Sequence, residues 1–428
     1  MQHKGLELSG VEVFQRQQAL AKAIHYALQN RISNPFFQAR MDIPRIQLRK
    51  NVSEALDRSP VCLLLGQRQA GKSHLAKGFG AAAQNYFDLE SMVDERRLEE
   101  NAQGELGKLY GLVVIDEVQR MPKLFPLLRY LADRKDNPAK FLLLGSAAPR
   151  LVRGVSESLA GRVAYVDLGG FNVSEIEPQY HETLWLQGGL PGAFLSDEAT
   201  SYHRRLDYLK SVIEQDMREL AETRMAPSSL RKLLSYMANC HGKVWNHAPA
   251  AQLLGVDGKT IQRYVELFEG MFLIRLLRPY HSNLNKRLRK SPTLYFRDSG
   301  LVHALLAIRS PLELSRHPIY GFSWEGFALE QVIRVLGLRP DEEGYTYSVH
   351  AGDEMDLVVE RGGKRYGFEF KASNSPGTTP SMLNSIRDLK LSNVYVVHPG
   401  EQDYALSETI QAVGVRNLVT LRQTWDKA

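Results

Sequence analysis

Gly66-Gln67-Arg68-Gln69-Ala70-Gly71-Lys72-Ser73 follows directly on the apolar run Val61-Cys62-Leu63-Leu64-Leu65. The octapeptide fits G-x-x-x-x-G-K-[ST], and its flanks suit that pattern: a short valine and leucine run reads as a buried strand, and His74 to Ala83 reads as a helix. Gly66 and Gly71 let the backbone curl so that successive N–H groups point inward, which is the geometry that cradles phosphates. The helix beginning near Lys72 adds the positive end of its dipole. Lys72 is the residue expected to reach the β and γ phosphates, and the Ser73 hydroxyl to hold Mg²⁺. The expected binding set is Gly66, Gln67, Arg68, Gln69, Ala70, Gly71, Lys72 and Ser73, with His74 adjoining.

Working outward from the loop, Gly111-Leu112-Val113-Val114-Ile115-Asp116-Glu117 is a second apolar strand, and it ends in two acids. A strand buried on both faces reads as a continuous apolar run, and ligands of a parallel sheet sit at its carboxyl end. Asp116 is therefore the candidate that holds Mg²⁺ through water, and Glu117 the candidate that deprotonates the attacking water. A third strand, Phe141 to Leu144, ends in Gly145-Ser146, where Ser146 is either a sensor of the γ-phosphate or a plain turn serine. Tyr86 to Leu89 reads as a further strand, with Asp88 at its end either facing the nucleotide or, the favoured reading, capping the turn behind it. No N-K-x-D guanine-reading motif accompanies the loop, because Asn285-Lys286 is followed by Arg287 and Leu288, so the expected nucleotide is ATP.

With 428 residues the chain exceeds a single ordinary core, and two to four domains are expected. Its 43% hydrophobic and 24% charged residues are those of a globular protein, which excludes a disordered chain. A net charge of +6 is compatible with nucleic acid without establishing it. Two cysteines, Cys62 and Cys240, cannot build a disulfide framework or a zinc site, and a reducing compartment follows. Neither a signal-peptide layout nor a membrane-length apolar run is present, so the expected location is the cytoplasm.

The ordered set Pro44-Arg45, Gly-x-Arg-Gln-x-Gly-Lys-Ser, Ile115-Asp116-Glu117-Val118-Gln119, Leu144-Gly145-Ser146 and Leu159-Ala160-Gly161-Arg162 resembles the AAA-like ATPases of bacteria and archaea. The likeness continues through Gly188-Gly189-Leu190-Pro191 and Tyr295-Phe296-Arg297-Asp298-Ser299-Gly300-Leu301 and spans residues 43 to 420. Ser73 stands where many relatives have Thr, and both offer a hydroxyl. The resemblance implies ATP and Mg²⁺ as cofactors and a homo-oligomer, ring or dimer, in which Arg162 acts as a finger on a neighbour's phosphates. Arg150 and Arg153 are rivals for that role, and a surface ion pair is the structural alternative for Arg162.

Past the ATPase region, Val11 to Arg31 upstream and Tyr202 to Glu222 downstream have helical spacing. Residues 227 to 280 read as helix, short helix, turn, helix and β pair, the order of a winged helix, with Lys259, Thr260, Gln262 and Arg263 facing outward and Lys286, Arg287, Arg289 and Lys290 in the wing. Such a surface serves either DNA phosphates or domain docking. Further on, Glu325 opens a helix, Asp356 lies on a strand with Glu354 and Val358 on its face, and Glu369 and Lys371 share one face of the next strand while Phe368 and Phe370 take the other. A single strand and helix are expected after Asp403. This pattern is similar to the PD-(D/E)XK nuclease core that such relatives carry, which implies Glu325, Asp356 and Glu369 as metal ligands and Lys371 as the catalytic cation.

The expected layout is thus α/β with a P-loop parallel sheet. Residues 1–42 form a helical extension, 43–225 an AAA-like ATPase domain, 226–300 a winged helix and 301–428 a restriction-endonuclease-like domain. The expected function is Mg²⁺-dependent ATP hydrolysis coupled to DNA engagement, with metal-dependent DNA cleavage by the last domain. The alternative is a nucleotide-gated switch or scaffold that binds DNA or a protein without cutting.

Overall fold

Strands β1 (Val61–Gly66), β2 (Tyr86–Asp88), β3 (Gly111–Asp116), β4 (Ala139–Ser146) and β5 (Val163–Leu168) form one parallel sheet in the order β2-β3-β4-β1-β5. The structure, a computed structural model, describes residues 43–134, 139–146, 149–217, 225–280, 291–339, 343–349 and 352–425. The helix expected over Val11 to Arg31 and the basic wing residues Lys286, Arg287, Arg289 and Lys290 lie outside them.

The apolar runs become central strands because both faces are covered. Cys62 and Leu64 pack with Val114, Leu142 and Leu144 on one side, while Leu63 and Leu65 pack with Val113, Ile115 and Phe141 on the other. Gly66 is fixed by close approach, since a Cβ there would sit 2.1 Å from the Leu168 carbonyl oxygen. The helix behind the loop is shorter than the sequence reading, Lys72–Lys77 in place of His74 to Ala83. Gly78 ends it, Gly80 turns the chain at φ +70, and Arg49 of the helix Ile46–Arg58 donates to the Gly78 carbonyl at 2.6 Å.

A helical stretch follows, in which Glu198–Ser211 is capped by Asp197 and runs into a π turn over Val212–Asp216. The helix expected from Tyr202 to Glu222 thus begins earlier and loses regular α geometry at Val212. Next come the helix Pro227–Asn239, β6 (Lys243–Val244), the helices His247–Leu254 and Gly258–Gly270, and strands β7 (Ile274–Leu277) and β8 (Thr293–Phe296) in an antiparallel sheet β6-β8-β7. Asp257 caps the helix Gly258–Gly270, whose Ile261, Tyr264, Val265 and Phe268 are buried. Lys259, Gln262 and Arg263 are exposed on its other side. The strand read from Phe272 starts at Ile274, because Phe272 holds φ +60.

The helix Tyr320–Leu336 leads into β9 (Gly344–Ser348), β10 (Glu354–Arg361), β11 (Lys364–Phe370), the helix Pro380–Leu389, β12 (Asn393–His398), β13 (Tyr404–Ala405) and β14 (Ile410–Gly414), with the helix Leu418–Trp425 last. Their sheet runs β13-β14-β12-β11-β10-β9, antiparallel from β9 to β11 and parallel from β11 through β12 to β14. Two strands form after Asp403 where the sequence reading had one. A bulge between Met355 and Val358 breaks the alternation read at Asp356, because Met355 and Val358 pack into the same cluster three residues apart.

Candidate nucleotide site and carboxylate cluster

Register brings the loop and the acids to one edge of the parallel sheet. Gly66 pairs with Ser146 across β1 and β4, and Asp88 pairs with Asp116 across β2 and β3, so all four stand at carboxyl ends. Gly71 turns the loop at φ +96 and Gln69 at φ +60. Lys72 is buried, and its ammonium donates to the carbonyls of Gly66 and Gln67, each at 3.1 Å. Burial lowers its pKa, opposed by the nearby charges of Glu117 and Asp116.

Asp116 is held on both oxygens, accepting from the Glu117 N–H at 2.9 Å and from the Tyr86 hydroxyl at 2.8 Å. Tyr86 also lies near enough to Ser73 for the two hydroxyls to influence each other, so one tyrosine stands between the two expected Mg²⁺ ligands. A hydroxyl and a carboxylate joined in this way suit a hard cation that keeps most of its water. Glu117 sits in the left-handed region at φ +53, a conformation that a non-glycine residue holds only when its surroundings impose it. Its carboxylate accepts from Gln119 Nε2, and burial raises its pKa above the ordinary carboxylate range. That is the direction a general base requires.

The rest of the loop is tied to the downstream region. Gln67 Nε2 donates to the Phe272 carbonyl at 2.7 Å, and Arg68 pairs with Asp216 at 2.6 Å. His74 is exposed. Asp88 accepts from the Glu90 N–H at 2.9 Å, as a turn cap does. Arg162 lies at the opposite end of the strands, its carbonyl accepting from the N–H of Val61. There it makes two bonds to Asp133, at 2.5 and 2.9 Å, and does not touch the phosphate loop of its own chain.

The second constellation gathers Glu325, Asp356, Glu369 and Lys371. Lys371 Nζ meets Glu369 Oε2 at 2.6 Å, with Phe368 and Phe370 packed into the opposite core. Asp356 accepts from the Phe370 N–H at 2.9 Å, and Glu325 from the Tyr295 hydroxyl at 2.6 Å. Burial pushes Asp356 up to about 6, partly offset by Lys371. Burial and the Asp356 charge push Glu369 up to about 8, and the same causes hold Glu325 well above its usual range. Burial works against the charged form of Lys371, yet Glu369 and Asp356 outweigh it and its pKa is raised. Glu369 Oε1 is buried with no hydrogen-bond partner. Among the described residues, however, no three His, Cys, Asp or Glu side chains stand together closely enough to hold a metal ion. The sequence reading of a three-carboxylate cage therefore meets a cluster closed on its own lysine.

Sequence reasoning missed Tyr86 and Tyr295, since a hydroxyl that orients a carboxylate from another strand leaves no mark in local spacing. It also missed the buried cluster of Arg275, Arg297 and Arg334 around Glu330.

Three family models match the chain: an AAA domain over residues 58–177, and two domains of unknown function, DUF8612 over 178–312 and DUF4143 over 320–418. Uncharacterized proteins of Mycobacterium tuberculosis and Mycobacterium bovis are each 40% identical over 382 residues, which is 89% of this chain and 86% of theirs. Among solved structures, a Walker-type ATPase of Pyrococcus abyssi aligns with 62% of this chain and 96% of its own at 18% identity, with a TM-score of 0.43. The AAA match, the loop and the parallel sheet agree on a P-loop ATPase module that binds and hydrolyses nucleotide. No helix among the described residues is long and apolar enough to cross a membrane.

Proposed function

The chain belongs to one family with the two mycobacterial proteins, and from that premise we propose that it hydrolyses ATP and uses nucleotide state to control how its later regions engage DNA. The observation that carries the reading is the buried Lys72, seated inside the loop beside the Ser73, Tyr86, Asp116 and Glu117 constellation. Ser73 and Asp116 would hold Mg²⁺, which when bound supplies positive charge to the β and γ phosphates. Lys72 leaves the Gly66 and Gln67 carbonyls to donate to phosphate oxygens. Glu117 leaves Gln119 to orient the attacking water and take its proton. Ser146 contacts the γ-phosphate from the end of β4. Arg162, far from its own loop, completes a neighbour's site, so the active form is an oligomer.

The domain layout we propose is the ATPase over 43–225, a winged helix over 226–300 and a PD-(D/E)XK-like domain over 301–428. Element order supports the last two: helix, strand, helix, helix and β pair for one, and for the other a helix, three antiparallel strands, a helix and a parallel strand, with Asp356 on β10, Glu369 on β11 and Lys371 just after it. The exposed Lys259, Gln262 and Arg263 supply the surface for DNA phosphates. Asp356 and Glu369 have the donor chemistry for a divalent cation, and the unpartnered Glu369 Oε1 fits one.

A second reading is favoured by the Lys371–Glu369 closure and the lack of a three-donor group, namely that the last domain binds DNA or a protein without cutting. Steady-state ATP hydrolysis with and without DNA, in wild type and Lys72→Ala, with mass by light scattering, tests the main proposal. Hydrolysis that vanishes in the variant and rises with DNA in an assembled form supports it. A wild type that binds ATP, barely turns it over and ignores DNA overturns the DNA-coupled ATPase in favour of a nucleotide-gated switch. Mn²⁺-dependent DNA loss that is the same in Lys371→Ala overturns cleavage.

A further inference from the structure

The phosphate loop holds a residue some two hundred positions downstream. Gln67 Nε2 donates to the Phe272 carbonyl at 2.7 Å, in the turn where Phe272 is kept at φ +60. The Phe272 ring lies 4.2 Å from the Arg297 guanidinium carbon, and Arg297 Nε is 3.7 Å from Glu330 Oε2. Glu330 also takes Arg275 at 2.6 Å and Arg334 at 3.5 Å. Arg275 stands directly across from Tyr295 in the β7–β8 ladder, and Tyr295 donates to Glu325 at 2.6 Å. Glu325 and Glu330 share the helix Tyr320–Leu336. The path from the nucleotide loop to the carboxylate cluster is therefore continuous, its links being hydrogen bonds, ion pairs and a ring contact except at Arg275 and Tyr295, which are joined by backbone pairing, and at Glu325 and Glu330, which are joined by their shared helix.

Two features make the path responsive. Lys72 donates to the Gln67 carbonyl, so a phosphate that draws Lys72 away frees the backbone of the residue whose side chain holds Phe272. At the middle of the path, Glu330 Oε2 and Arg334 Nε are buried without hydrogen-bond partners. The Glu330 Oε2 side of that node is held by charge at 3.5 to 3.7 Å, which re-pairs more easily than a bonded network.

We propose that these contacts transmit nucleotide loading from the phosphate loop to the carboxylate cluster, with Tyr295 as the positioning residue that sets where Glu325 stands. The proposal rests on the reading of the loop as an ATP site and gives regulation to the cluster of the last domain. Its physical content is a coupling between two sites through an element both bias.

Hydrogen exchange of the full chain, with and without ATPγS and Mg²⁺, tests it, and the readout is the nucleotide-dependent difference rather than the level of protection. In wild type, exchange over 320–336 and 354–371 changes by about 5-fold or more on loading, the lower end of typical coupling. Phe272→Ala keeps the change at the phosphate loop and loses it at both distant segments, while Phe272→Tyr, which keeps a ring against Arg297, retains it. Tyr295→Phe retains the change over 320–336 and loses it over 354–371. A wild type whose response stops short of residue 320, or a Phe272→Ala protein that transmits as wild type does, overturns the proposal. Binding of fluorescent ATP and of Mn²⁺ to the same proteins separates the premises. Loss of ATP binding by wild type sinks the nucleotide reading. Mn²⁺ binding that is the same in Asp356→Asn sinks the cation reading of the cluster and leaves the transmission standing.

Discussion

Replacing Glu330 by Gln is expected to cost the protein about 3 to 4 kcal/mol at pH 7, because the glutamine stands in for a protonated carboxyl. Glu330 is almost fully buried, with a side-chain exposure of 3%. Burial alone raises its pKa, yet Arg275, Arg297 and Arg334 together outweigh that and bring it from an ordinary 4.5 to about 2. Two and a half powers of ten at about 1.4 kcal/mol each gives about 3 to 4 kcal/mol, which agrees with the roughly 3–5 kcal/mol lost when one partner of a buried ion pair is removed. The folded-state pKa is depressed, so the contribution is complete above the unfolded value near 4.5 and is lost as pH falls toward 2. By pH 3 the gap between wild type and Glu330→Gln should have shrunk by roughly half. Denaturant unfolding followed by tryptophan fluorescence, with Trp324 on the same helix as the reporter, measures both quantities. A loss below about 1 kcal/mol at pH 7, or a gap unchanged between pH 7 and pH 3, would refute the reasoning.

Glu117→Gln should leave ATP binding intact and slow phosphate release by about 10² to 10⁴, the range a general base supplies; parallel binding and turnover assays decide, and unchanged turnover removes Glu117 as the base. Arg162→Ala should bind ATP normally and lose about 10³ or more in turnover, and mixing it with Lys72→Ala subunits should restore activity, since each supplies what the other lacks. Mixed assemblies that stay inactive would place the finger elsewhere. Glu325→Gln should raise the thermal midpoint in the presence of a chelator, because burial disfavours the charged carboxyl while Gln still accepts from Tyr295. With the folded pKa raised, that advantage grows as pH rises above the unfolded value, and a midpoint that drops throughout contradicts the assignment of burial as the cause.

The parallel sheet was legible because β1, β3 and β4 are buried on both faces and so read as unbroken apolar runs that end in Gly66, Asp116 and Ser146. The pairing of Glu369 with Lys371 was legible for a related reason, since two residues on one face of a strand need only period two to be placed together. Asp356 shows the limit of that rule. Its bulge is a property of the pairing with β9, and nothing in the β10 sequence announces an extra residue. The overlong reading of the helix behind the loop came from weighing spacing above Gly78 and Gly80. The Glu330 cluster was invisible for a deeper reason: its arginines come from β7, the turn after β8 and one helix, and isolated charges in sequence read as solvated until folding buries them together.

The helix Tyr320–Leu336 buries 12 of its 17 residues. Ser323 accepts from Trp185 at 2.9 Å and Gln331 from the Val173 N–H at 2.9 Å, while Arg422 of the final helix donates to the Val335 carbonyl at 2.7 Å. The helix therefore packs on both sides within one continuous hydrophobic core, although residue 320 is where the DUF4143 match begins. A recombinant fragment cut at that residue would carry the whole helix with it and bare the side that Trp185 and Val173 cover. Such a piece should be sticky and poorly soluble, and the truncated ATPase left behind should lack a wall. Dissection at the boundary that sequence comparison suggests would thus damage both halves, and the biochemistry of the two is best read with both on one chain.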